Sequence, residues 1–141
     1  MKLLILFFLL IFNTIALSED FIPLALFLKK EKNYNDINRT IYLLKRCASL
    51  HDFINSKKFE GYDKKIYLRY EKDSNFFYSK LSEILKIKLK IKNNLNDELK
   101  KDIIKFSQTY LKYSKKNMDK NGSYFKNTYL IEDLKICSKI Q

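Results

Sequence analysis

Cys47 and His51 stand four residues apart, a spacing that brings two side chains into contact across one turn of a helix. A thiol beside an imidazole is the arrangement of a Cys-His nucleophile pair. Cys137, however, is the only other cysteine, and two cysteines in an oxidising compartment point to one disulfide, which leaves no thiolate to attack anything. Zinc is disfavoured because a structural site takes four ligands, and one histidine with two cysteines falls short unless a carboxylate joins them. Asp97-Glu98 and Glu132-Asp133 are neighbours in sequence rather than one turn apart, so each pair diverges. Gly61 and Gly122 are the only glycines, and no phosphate-cradling loop can be built from them. Glu60, Asp63 and His51 at one end of a helical fold are the one polar cluster an enzyme could use. No catalytic residue, metal or cofactor is therefore expected, and the chemistry expected of Cys47 and Cys137 is a covalent link.

The elements that carry these residues read as helices. From Asp36 to Ile54, Ile37, Ile41, Leu44 and Ala48 share one face with Leu43, Cys47, Leu50 and Ile54 beside it, a stripe wide enough for deep burial. A shorter apolar segment, Phe21 to Lys32, precedes it, with Asp20 as a candidate cap and Pro23 in the first turn. A second long element follows Gly61, with Asp63 at its N-cap and Asp73-Ser74-Asn75 as a place where it could kink. The third starts at Asn96, with Asp97 and Glu98 at its positive end, and places Leu99, Ile103, Phe106, Tyr110 and Tyr113 on one face. The last begins near Ser123 and aligns Leu130, Leu134 and Cys137, while Asn121-Gly122 punctuates the preceding turn.

Four helices with short connections predict an all-α, antiparallel up-down four-helix bundle in which the first helix lies beside the last. The register that sets Cys47 opposite Cys137 also sets Ser123 opposite Gly61, so two helix ends located without the cysteines coincide. The same register places His51 opposite Asp133, as a polar partner near the disulfide.

Residues 85 to 92 alternate apolar and lysine side chains, which is a strand pattern, but an isolated strand leaves its backbone groups unpaired. A helix keeps Phe77, Leu81, Ile84, Leu85 and Leu89 on one face at the cost of turning Ile87 and Ile91 outward, and helix is the reading preferred. Lys86, Lys88, Lys90 and Lys92 on this segment, with Lys101, Lys105, Lys112 and Lys116 on the next helix, form a basic surface. Between Lys86 and Lys120 there are 11 lysines and 4 acids, so most of the excess positive charge collects here.

Lys2, the apolar run Leu3 to Phe12 and Ala16-Leu17-Ser18 make a signal peptide over 1–18, cleaved after Ser18. The competing reading is an uncleaved inner-membrane anchor from Leu3 to Leu28, against which Glu19 and Asp20 interrupt the run with two carboxylates. The remainder, 19–141, is one helical domain long enough to bury a real core. The chain carries 25 lysines but only Arg39, Arg46 and Arg69 among arginines, and a composition rich in residues with AT-rich codons inflates lysine by itself. Few arginines also means few bidentate phosphate grips.

Arg46-Cys47-Ala48-Ser49-Leu50-His51, in an apolar helix soon after a signal peptide and followed by a second cysteine in the last helix, resembles small uncharacterised exported helical proteins of AT-rich marine bacteria. His51 stands where those proteins more usually carry an aromatic. The resemblance implies an exported helical domain and no activity. The expectation is a periplasmic or secreted, non-enzymatic binding or structural module. Its partner would be an anionic glycan, a lipid headgroup or an acidic protein, with nucleic acid disfavoured outside the cytoplasm. The alternative is a membrane-anchored helical domain whose lysines face lipid.

Overall fold

Apolar residues repeating at helical spacing must find a second apolar face, and among the described residues helices supply it. The computed structural model describes residues 21–30, 36–56, 64–88 and 95–140. These form α1 (Leu24–Lys30), α2 (Ile37–Ser56), α3 (Lys64–Lys88), α4 (Leu95–Asn121) and α5 (Tyr129–Ser138), with no strand among them. The expected signal segment 1–18 lies outside the described residues. No helix among the described residues is long and apolar enough to cross a membrane.

Helix α2 is the hub, packing on α3, α4 and α5, while α1 packs on α5. Its ten buried residues, including Ile41, Leu44, Cys47, Ala48, Leu50 and Phe53, surround more than one face, as the width of the stripe requires. Asp36 caps it, its Oδ1 accepting the Asn38 N–H at 2.8 Å. Ala48 and Ser49 are small and fully buried, and Ser107 on α4 donates its hydroxyl to the Ser49 carbonyl at 2.9 Å. The core has two parts. One joins Leu24, Leu44, Phe77, Leu81, Ile103 and the disulfide; the other joins Leu50, Phe53, Ile54, Tyr110 and Leu130.

Several element boundaries differ from those read in the sequence. The segment before α2 contains the short helix α1, and residues 31–35 between the two lie outside the described residues. Helix α3 runs unbroken through Asp73-Ser74-Asn75. Ser74 spends its hydrogen-bonding capacity across the core, its hydroxyl donating to Asp52 at 2.8 Å, and the Asp73 carboxylate lies between His51 and Arg69. Helix α4 begins at Leu95, which puts Asn96 inside its first turn instead of at the cap. Helix α5 begins at Tyr129, not near Ser123. Residues 123–128 are instead held as a turn by Asn117, whose Nδ2 donates to the carbonyls of Ser123 and Lys126. Gly122 ends α4 at φ 66°, a left-handed conformation that glycine adopts without steric cost. The alternating segment is helical as far as Lys88; residues 89–94, with Lys90 and Lys92, lie outside the described residues.

The disulfide joins Cys47 on α2 to Cys137 on α5, with Cα atoms 5.5 Å apart and a sequence separation of 90. Closing so long a loop in the unfolded chain removes entropy equivalent to about 4–5 kcal/mol by the chain-entropy argument. Cys47→Ala is therefore expected to lower Tm by about 10 °C or more for a domain of this size. Thermal denaturation of wild type with and without reductant is the control, since reduced wild type should melt with the variant.

Candidate functional site

Arg46, on α2 beside Cys47, is the largest fully buried side chain among the described residues. A guanidinium taken out of water must have its donors met, and here they are met from four directions. Nη2 donates to Asp133 Oδ2 at 2.9 Å, Nε to the Tyr110 hydroxyl at 3.0 Å, and Nη1 to the Ile22 carbonyl and the Tyr42 hydroxyl, each at 2.9 Å. The Phe21 ring covers the guanidinium, its centroid 3.7 Å from Cζ, a cation–π contact sheltered from solvent. Asp133, also fully buried, accepts from Tyr110 at 2.9 Å and from the Leu24 backbone N–H at 2.8 Å.

Burial alone would favour a neutral guanidine, yet Tyr110, Tyr42 and Asp133 outweigh it and hold the Arg46 pKa above its ordinary value. Burial pushes the Asp133 carboxyl up, with the Leu24 N–H, Arg46 and Tyr110 pulling it back. Burial likewise pushes the Tyr110 hydroxyl well up. The assembly is a clasp: it fastens Phe21, Ile22 and Leu24 onto α2, α4 and α5. The register expectation paired Asp133 with His51, and the structure corrects it, since Arg46 and Tyr110 occupy that carboxylate. The signal that was missed is Asp133 itself, which shares the buried stripe of α5 with Leu130 and Cys137. The expected stripe residue Leu134 is only half-buried.

The clasp also shapes a groove of about 720 Å³ between α2 and α4. Phe21, Tyr42, Phe106 and Tyr113 line it with aromatic surface, and Lys45, Lys105 and Lys112 line it with charge. Phe21 lies 5.7 Å from Phe106 and 6.1 Å from Tyr113, centroid to centroid, and Tyr42 meets Phe106 edge-on at 5.6 Å. Lys45 forms an ion pair with Asp102 at the wall, whereas Lys105 and Lys112 are exposed. Of the expected basic surface, Lys86, Lys101, Lys105, Lys112 and Lys116 are exposed to solvent, and Lys88 closes α3. The structure brings Lys105 and Lys112 to the groove and not Lys86, Lys101 or Lys116.

His51 is buried against Tyr70 and Phe77, each ring 5.4 Å away. Its Nδ1 lies 3.6 Å from Asp73 Oδ2, too far for a hydrogen bond. Glu60 and Asp63, its companions in the polar cluster read from the sequence, lie outside the described residues. No group of three or more histidine, cysteine or acidic side chains suited to a metal occurs among the described residues, and both cysteines are consumed in the disulfide. Comparison with protein families, curated proteins and solved structures finds no match to this chain.

Two outcomes follow. Arg46→Ala leaves the Asp133 carboxylate buried without its cation and should destabilise the fold by about 3–5 kcal/mol, whereas Arg46→Met with Asp133→Leu should recover most of that loss; denaturant midpoints distinguish the two. Burial lowers the His51 pKa from 6.5 to about 4, so the unfolded chain takes the proton first as pH falls. The contribution of neutral His51 is complete above pH 6.5 and is lost toward pH 4, a loss on the order of 3 kcal/mol. His51→Phe should flatten that part of the stability-against-pH curve, measured by denaturation at steps across the window.

Proposed function

We propose that this chain is an exported, non-enzymatic helical binding protein that takes an anionic glycan in the groove between α2 and α4. The observation that carries the reading is the pairing of exposed Lys105 and Lys112 with the aromatic surface of Phe21, Tyr42, Phe106 and Tyr113 in one concavity. Aromatic faces carry negative quadrupole charge and accept the C–H face of a sugar ring, while lysine ammonium groups attract sulfate or carboxylate substituents as mobile point charges. A groove of about 720 Å³ falls within the range that ligand clefts occupy. A bilayer or a folded acidic protein presents a broad surface that does not enter a concavity of this kind.

Export is supported by the apolar run and small-residue pattern of 1–18 and by the disulfide, a bond that persists in oxidising compartments. Cleavage after Ser18, with a periplasmic or secreted product, is favoured over a retained anchor through Leu28 by the burial of Leu24 and the clasp on Ile22. Residues 21–24 cannot span a bilayer and close the clasp at the same time. Within this reading α2 to α5 form an up-down bundle with α1 as a strap.

The test is binding of a sulfated oligosaccharide, its neutral counterpart, anionic vesicles and an acidic polypeptide at low and moderate salt. The sulfated sugar should bind with affinity that falls as salt rises. Lys105→Gln with Lys112→Gln should weaken it about tenfold, at the upper end of what two exposed charges contribute, with Tm unchanged. Lys101→Gln with Lys116→Gln removes equal charge from the same helix and should have a smaller effect. Equal loss from both pairs, or stronger binding to vesicles or acidic polypeptide, overturns the groove.

A further inference from the structure

The α2–α4 groove is long rather than round. Its wall on α4 runs from Asp102 through Lys105, Phe106, Thr109 and Lys112 to Tyr113, which is about three turns of helix, or roughly 16 Å along the axis. A concavity that follows a helix for that distance suits a chain lying parallel to it.

The charge beside the groove has the same direction. Lys101, Lys105, Lys112 and Lys116 lie on the unbroken helix α4, and all four are exposed. At about 100° per residue their side chains fall within about 60° of one another around the helix, and from first to last they extend about 22 Å. The gaps between neighbours, about 6 to 10 Å, are comparable to the Debye length of about 8–10 Å near physiological salt, so the four fields merge into one positive strip. None of the four forms an ion pair among the described residues, in contrast to Lys45 and Lys80, which are held by Asp102 and Glu83. Asp102 lies to one side of the strip. The acidic residues in register with it, Glu98 and Asp119, stand three residues beyond its two ends.

Resting on export and on the groove as the binding site, we infer that the ligand is a linear polyanionic glycan lying parallel to α4, its central rings in the groove and its charges met in turn by Lys101, Lys105, Lys112 and Lys116. The inner pair, Lys105 and Lys112, borders the groove, and the outer pair continues the strip past both ends. Charge repeated along a flexible chain suits lysine, whose ammonium is a mobile point charge, where arginine imposes one planar geometry. The footprint is finite, because like charge at Glu98 and Asp119 opposes the chain beyond the strip.

The experiment measures binding of heparin-derived di-, tetra-, hexa-, octa- and dodecasaccharides to the full chain by calorimetry across a salt series. Wild type is compared with Lys105→Gln plus Lys112→Gln and with Lys101→Gln plus Lys116→Gln, each checked for an unchanged Tm. Affinity should rise with chain length to a plateau. Each ammonium matched to a polymer charge releases counterions, so the slope of log affinity against log salt should be about twice as steep for the plateau chain, on four lysines, as for the shortest binding chain, on two. The outer variant should leave the shortest binding chain within about twofold of wild type and weaken the plateau chain about fivefold. Affinity that is flat with length overturns the inference and leaves the groove standing. So does a length gain that survives the outer variant, since it reports only several registers on one short site. Equal loss from both variants on the shortest chain, or no binding at any length, overturns the groove and the strip together. Tighter binding of a single-stranded oligonucleotide of matched charge overturns the ligand class.

Discussion

Burying Arg46 is the constraint around which the molecule is arranged. A guanidinium in a protein interior is tolerated only when hydrogen bonds and an opposite charge replace the water it has lost. The planar fork of arginine reaches acceptors in several directions at once, as the compact ammonium of lysine does not. Here those acceptors come from α2 itself, from α4, from α5 and from the segment preceding α1. The clasp therefore specifies where four separate stretches of chain must stand relative to one another, which apolar contacts by themselves leave loosely defined.

The disulfide acts on the same pair of helices. Cys47 follows Arg46 on α2, and Cys137 lies one turn beyond Asp133 on α5. One bond is covalent and limits the unfolded chain; the other is directional and rewards only the native geometry. Helix α5 has ten residues, too short to hold its place by burial alone, and this double attachment explains how so short an element is kept in register with α2.

The α2–α4 groove inherits part of its lining from the clasp. Phe21 lies over Arg46 and also lines the α2–α4 groove, so the aromatic surface offered there depends on the clasp being closed. The proposed groove and the clasp are thus neighbours that share Phe21, so opening the clasp would remove part of the aromatic surface of the groove.

Periodicity and composition in the sequence were sufficient for the helical class, for α2 and its wide apolar stripe, for the turn at Asn121-Gly122 and for the pairing of Cys47 with Cys137, because the first three follow from local spacing and the last from there being two cysteines. They were insufficient for α5, whose start moved to Tyr129 because Asn117 holds 123–128 as a turn from a distance. They also misassigned Asp133. A carboxylate on a buried stripe has several candidate partners at the resolution of one helical turn, and Arg46 rather than His51 won because only the guanidinium geometry, together with Tyr110 and the Leu24 N–H, satisfies both oxygens. The lysines were visible as an excess of charge, but which of them border an aromatic groove was decided by the rotation of α4 against α2. Spacing along one chain determines which faces are apolar; which polar side chains meet between those faces is decided only when the helices pack.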